Sequence, residues 1–336
     1  MAAKLIDVAR HAGVSPSTVS YVLSGNRPIS EETRRRVQDS IKELGFRPHA
    51  GARSIRRQST NVIAMVLPMP ADGQSAVQMQ FVFSVLSSAR ANGFNLLLLT
   101  AEDGVSEINN LVDSAMVDGV IVMEVQVHDP RVPALRALNR PVVLIGTPAD
   151  ADRMVHVDFD FAAAGAMSVQ YLYDLGHRNV GLIGQSAETY ARELGYAMRF
   201  RDGALSAMSE CGLATAWSAA RATPAGAAEA IENLFGQHPG LTGLVVYNEQ
   251  ALPFVLDRLR QLGRSVPGQM SVVAICPDDQ AEHMMPAVSD VALPASDLGR
   301  IAVERLAGLI AGSEQPTSTL LEPHLHRRGS AGPPPS

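Results

Sequence analysis

From residue 60 onward the chain alternates short β-branched apolar runs with stretches of helical periodicity. No other feature constrains the fold as strongly. The runs NVIAMVL, FNLLLLT, GVIVM, PVVLIG, NVGLIG, GLVVY and SVVAIC predict strands. Between them, QFVFSVLSSARANG, INNLVDSAM, AAAGAMSVQYLYDLG, RDGALSAMSECG, AGAAEAIENLF and EQALPFVLDRLRQLG predict helices. Strands apolar on both faces and separated by helices form parallel sheets covered on both sides. There are more such units than one sheet holds comfortably. The expected body is therefore α/β, two doubly wound parallel-sheet subdomains with a cleft between them. Ligands of such sheets bind beyond the carboxyl ends of the strands. Here those ends read VLPMPADG, LLTAEDG, MEVQVHD, LIGTPAD, LIGQSAE, VVYNEQ and AICPDDQ, and several offer the acceptors and amides that hold sugar-like hydroxyls.

With 336 residues, 46% of them hydrophobic, the chain can bury a sizeable core in two or three domains. No apolar run approaches the roughly 20 residues that span a bilayer. The start, MAAKLIDVARHAG, has no apolar segment followed by a small-residue cleavage site, so a cytoplasmic location and no membrane partner are expected. Cys211 and Cys276 lack the spacing of a disulfide framework or a zinc site. GxGxxG after the first strand, GxxxxGK[ST], GxSxG and HExxH are all missing. Asp278 and Asp279 are adjacent and point apart in an extended chain, and His324 and His326 have no third ligand in view. These absences argue against an enzyme, a cofactor or a bound metal.

The formal charge of −6 hides an asymmetry. Residues 1–58 hold 11 Lys/Arg against 5 Asp/Glu, whereas the remainder holds 17 against 29. A basic head on an acidic body suggests an anionic partner for the head alone. In that head LIDVARHA reads as a short amphipathic helix, Gly13 allows a tight turn, and Ser15 is placed as N-cap with Pro16 at the first helical position. Val19, Val22 and Leu23 form an inward stripe. Ser17, Ser20, Tyr21 and Ser24 form an outer face of short, uncharged side chains, unlike a merely solubilising face. Ser30 caps a third helix that Gly45 ends. Three short helices with a tight first turn read as a helix-turn-helix whose second helix enters the DNA major groove.

DVARHAGVSPSTVSYVLSG, SEETRRRV and ELGFRPHAGARSI resemble the head of the lactose-repressor/galactose-repressor (LacI/GalR) family of bacterial transcription regulators, and LYDLGHRNVGLIG, LPASDLGRIAVERLAGLI and RRGS resemble its body. The resemblance implies a small all-α head over 1–47, a hinge over 48–59, and a periplasmic-binding-protein-like body over 60–330. The N-subdomain would take about 60–157 plus 293–319 and the C-subdomain about 158–292 plus 320–330, with 331–336 a disordered tail. RRGS would be the final strand. The implied partners are a near-palindromic operator duplex, a second copy in a homodimer, and a small-molecule effector, a sugar being the expected class. The alternatives are a solute-binding protein or an α/β enzyme with an accessory head.

The resemblance assigns DNA contact to Ser15, Pro16, Ser17, Thr18, Tyr21 and Arg27, and in the hinge to Arg53, Ile55 and Arg56. Ile55 would wedge into the minor groove, where leucine is more usual. Many relatives carry arginine where Tyr21 stands, and often a capping Ser or Thr where Lys4 stands. Effector contact is implied for Arg199 or Arg201, for Asn248 and Asp278, and for Trp217 as a stacking surface. His177 reads as a structural residue at a helix end.

Overall fold

The computed structural model describes residues 3–24, 27–46, 59–68, 76–100, 108, 116–313, 315 and 317–335. Arg53, Ile55 and Arg56, and all of the expected helix at 108–116 but its two end residues, lie outside the described residues. The chain forms two compact units, residues 1–60 and 61–336.

In the first unit, helices α1 (Leu5–His11), α2 (Pro16–Ser24) and α3 (Glu31–Glu43) close on Val8, Ala9, Ala12, Val19, Val37 and Phe46. Lys4 offers α1 no cap, but the Asp7 carboxylate accepts from the Lys4 backbone N–H at 2.9 Å, half of a capping box. Gly13, at φ +62°, makes the tight turn. The Ser15 hydroxyl then accepts from the Thr18 N–H at 3.2 Å and starts α2. Ser30 caps α3 through the Thr33 N–H, and Gly45 at φ +58° ends it.

The second unit contains two six-stranded sheets. The first is built from β1 (Val62–Val66), β2 (Asn95–Leu99), β3 (Gly119–Val122), β4 (Val142–Ile145) and β5 (Val155–Phe159), in the order β2-β1-β3-β4-β5, all parallel. Helix α4 (Ala76–Ala91) and the short α5 (Val132–Ala137) belong to this half. After Asp160 the chain crosses to the second half. There α6 (Phe161–Asp174), β6 (Val180–Gly184), α7 (Ala187–Ala191), α8 (Gly195–Glu210), β7 (Ala216–Ala219), α9 (Pro224–Gln237), β8 (Gly243–Val246), α10 (Leu252–Gln261), β9 (Ser271–Cys276), α11 (Asp278–His283) and β10 (Ser289–Ala292) repeat the same winding, β7-β6-β8-β9-β10. Leu293 and Pro294 lead back to α12 (Ala295–Ala311), which packs on α4, and to β11 (Thr319–Leu321), which extends the first sheet parallel to β5. Finally β12 (Leu325–His326) returns antiparallel to β10.

Two expectations are corrected. The paired final strand is Leu325–His326, with Arg327–Ser330 continuing past it, so that the Ser330 carbonyl accepts from the Val272 N–H. The expected disordered tail is in fact tied down at Gly332. Its carbonyl accepts from His177 Nε2 at 2.9 Å and from the Ser271 hydroxyl at 3.0 Å. The cause is that His177 and Ser271 are both fully buried and need partners. Nδ1 of His177 meets the Thr242 hydroxyl at 2.9 Å, and burial holds the imidazole below its ordinary pKa, so it serves as a neutral brace.

Helices α6 and α8 cross closely because each contributes a glycine. A Cβ at Gly165 would lie 2.4 Å from the Phe200 carbonyl oxygen, and one at Gly203 would lie 2.2 Å from that of Ala162. Gly165→Ala is therefore expected to destabilise the body by about 1–3 kcal/mol despite alanine's better helix propensity. Urea denaturation measures this, and an unchanged midpoint would refute the close-crossing argument.

Candidate functional site

Two regions offer functional groups, one in each unit. In the head, α2 carries no charged side chain. Its Val19 is fully buried, while Pro16, Ser17 and Tyr21 are exposed. The hydroxyls of Ser17 and Thr18 lie 2.7 and 2.8 Å from that of Ser15, so these small groups bond to one another. The Arg27 guanidinium lies over the Tyr21 ring, 5.6 Å from its centroid. All six head residues assigned to DNA contact thus gather on or beside one helix.

In the body, each sheet reverses its winding between its first and third strands, β1 and β3 in one half, β6 and β8 in the other. Such a switch point leaves a crevice at the strands' carboxyl ends. A cavity of about 190 Å³ occupies that place in both halves at once. From the first half it is lined by Met123, Glu124 and Val125 after β3, Ile145 and Gly146 at the end of β4, and Gln78 and Phe81 of α4. From the second half come Gln185 after β6, Arg192, Leu194, Tyr196, and Tyr247, Glu249 and Gln250 after β8.

The loop after β3 is held in an unusual shape. Glu124 has φ +53°, which costs a residue with a Cβ of order 1–3 kcal/mol. The buried Arg131 stabilises the turn. Its Nη2 donates to the carbonyls of Met123 and Glu124 at 3.0 and 2.9 Å and to Asp129 at 2.7 Å. The Glu124 carboxyl, only 8% exposed, accepts from Gln78 Nε2 at 3.2 Å, and burial raises its pKa.

The same loop bonds the other half through its backbone. The Gly195 N–H donates to the Val125 carbonyl at 2.9 Å, and the Val127 N–H to the Glu193 carbonyl at 2.8 Å, with Gln126 and Leu194 paired antiparallel between them. Arg199 adds a side-chain tie, donating to the Thr147 carbonyl at 2.8 Å and to Asp158 Oδ2 at 2.7 Å. Asp158 lines the cavity, and burial raises its pKa although Arg199 opposes the shift.

None of the five residues expected to touch an effector lines this cavity. Arg199 reaches it only through Asp158. Asn248 is buried, donating to the Ala220 carbonyl at 2.8 Å and accepting from the Ala251 N–H at 3.1 Å, and so shapes the turn that carries Glu249 and Gln250. Arg201 pairs with Asp202 and lies over the rings of Tyr190 and Trp217, which meet edge to face at 5.4 Å. The Tyr190 hydroxyl accepts from the backbone N–H of cavity-lining Gln185 at 3.3 Å. Asp278 is bonded to Arg328 and to His326 instead. Asp278, Asp290 and His326 gather within 4.8 Å, but Arg328 is bonded to both carboxylates, so the chain itself neutralises the cluster. Glu124, Gln185, Glu249 and Gln250 lie inside the strand-end segments that the sequence marks as ligand-facing. Gln78 and Arg192 carry no such signal.

Residues 4–49 match the profile described as bacterial regulatory proteins, lacI family, and residues 169–331 that of a periplasmic binding protein-like domain. Over 326 residues the chain is 25% identical to catabolite control protein A of Priestia megaterium, spanning 95% of this chain and 96% of that protein. Among solved structures it is similar to the transcriptional regulator CelR–cellobiose complex, at 26% identity and a TM-score of 0.71 over 98% of this chain and 99% of that one. It shares the fold of the lac repressor dimer bound to operator and the anti-inducer ONPF, at 20% identity and a TM-score of 0.85 over 99% of this chain and 100% of that one.

Because the folded chain holds the Glu124 proton more tightly than the unfolded chain does, stability falls as pH rises from the ordinary 4.5 through the raised value. Glu124→Gln is expected to flatten that fall and to raise the urea midpoint at pH 7. Parallel pH profiles for variant and parent would show that Glu124 does not titrate abnormally.

Proposed function

The chain belongs to the lacI family of bacterial regulatory proteins, DNA-binding transcriptional regulators, and we propose that it represses transcription from a near-palindromic operator and releases it when a compact effector occupies the cavity between its two halves. The relatives are regulators rather than enzymes, and so is this chain. The observation that carries the effector reading is the cavity itself, whose walls come from two halves tied directly by main-chain bonds. A ligand there touches both halves, so its affinity differs between cleft settings. Only such a difference can move the equilibrium between them.

At about 190 Å³ the space is smaller than the roughly 300–1,000 Å³ usual for drug-sized ligands, which favours a compact molecule. Its lining alternates rings (Phe81, Tyr196, Tyr247) with hydrogen-bonding ends (Gln78, Glu124, Gln185, Arg192), suited to a hydroxylated ring such as a sugar. The solved CelR complex contains cellobiose, which makes sugars the first class to test. In this reading Arg199 acts through Asp158, Asn248 through the turn bearing Glu249, and Arg201 with Trp217 through Tyr190 and Gln185. Asp278 serves the outer ion-pair network. The acting species is a cytoplasmic homodimer, with α4 presenting the exposed Phe83 and Leu86 as the apolar face for a second copy. Among the described residues no helix is long and apolar enough to cross a membrane.

Two experiments test these roles. Duplexes selected from a random pool serve as operator in anisotropy titrations, with a panel of mono- and disaccharides added. Arg199→Ala is expected to leave binding of operator intact and to weaken the sugar response about tenfold. A normal response, or no response of the parent protein to any small molecule, would reject the effector site. Ile55→Ala is expected to weaken binding to the selected duplex far more than to random duplex. Equal losses on both would remove the minor-groove wedge.

A further inference from the structure

The exposed face of α2 has no charged residue of its own, yet the structure places one over its only aromatic ring. Arg27, six residues beyond Tyr21 and outside the helix, lays its guanidinium over the Tyr21 ring, 5.6 Å from the centroid. Both residues are exposed, and among the described residues no hydrogen bond or ion pair engages the Arg27 N–H groups. A guanidinium held over the face of an aromatic ring by the ring's quadrupole makes no hydrogen bond to that ring, so the contact does not use up its N–H donors. Such a contact also restricts the rotamer freedom that a long exposed side chain would otherwise lose on binding.

From this geometry we infer that Tyr21 positions Arg27 as the guanine-reading residue of the head, the tyrosine ring serving as a platform that presents the guanidinium fork to O6 and N7 in the major groove. The inference rests on the reading of α2 as the DNA-entering helix. The chemistry favours guanine because a planar fork of two donors matches the two acceptors that guanine alone presents side by side in that groove. Tyr21 by itself offers one hydroxyl and an apolar ring, and Pro16 offers no hydrogen bond. Without Arg27 the described residues of this face bring only small hydroxyls and one phenol to the bases.

The test begins with duplexes selected by the full-length protein from a randomised pool. Titrations follow on the selected duplex and on versions with each guanine changed to adenine, at fixed salt. The parent protein is expected to prefer guanine at one step of each half-site by about tenfold. Arg27→Ala should abolish that preference, and so should Arg27→Lys, which keeps the charge and loses the fork. Tyr21→Phe, which keeps the ring, should retain it. Tyr21→Ala should behave like Arg27→Ala, and the double variant should be no worse than either alone. Tyr21 is exposed, so these variants are expected to fold, and their thermal midpoints check that.

Two outcomes would overturn the inference. In one, Arg27→Ala weakens every duplex equally and lowers the salt slope by about one, the mark of a phosphate contact. In the other, Tyr21→Ala leaves the guanine preference intact. A parent protein that selects no sequence at all would instead remove the DNA-entering role of α2, a separate failure.

Discussion

The body depends on a single buried cation. Arg131 binds Asp129 through two nitrogens and takes the carbonyls of Met123 and Glu124 as acceptors. Those bonds fix the turn after β3, and that turn does two jobs. It aims the Glu124 carboxyl into the cavity, and it offers the backbone of Val125 and Val127 to the opposite half. Removing one partner of such a pair would leave an uncompensated buried charge, so the pair holds its shape once formed. Part of the cavity wall and the main-chain bonds between the halves thus belong to one loop.

Much of this was legible in the sequence. Seven of the strands announce themselves as apolar runs, and the carboxyl ends of four of them, β3, β4, β6 and β8, line the cavity. Others were not visible that way. β5 reads VHVDF and β10 reads SDVA, and their polar residues break the apolar signal although Asp158 and Asp290 are buried. They stay buried because Arg199 and Arg328, distant in sequence, reach them. No local pattern records such a pairing. The ordering of the tail by His177 and Ser271 was hidden for the same reason, since its partners lie more than 60 residues away.

The cavity illustrates a different limit. The general rule for parallel sheets pointed to the strand ends that hold Glu124, Gln185 and Glu249. The family pattern pointed to Arg201, Trp217, Asn248 and Asp278, which the structure places around and behind the cavity rather than in its wall. The two readings therefore point to different residues, one set in the cavity wall and the other outside it. The head was easier to read. Capping by Ser15 and Ser30, the turn at Gly13 and the inward Val19 follow from local chemistry alone, because three short helices leave few long-range choices.

Three passages of the chain, at Asp160, at Leu293–Pro294 and between Leu321 and Leu325, join the two halves covalently. Tethered partners meet without losing translational freedom, so shutting the cleft is a unimolecular event with a high effective concentration. What a visiting molecule contributes goes into tilting a balance rather than into assembling the parts. In a receptor wired this way, the gap between a molecule's affinities for the open and the shut arrangement, and not its affinity as such, sets the position of the switch.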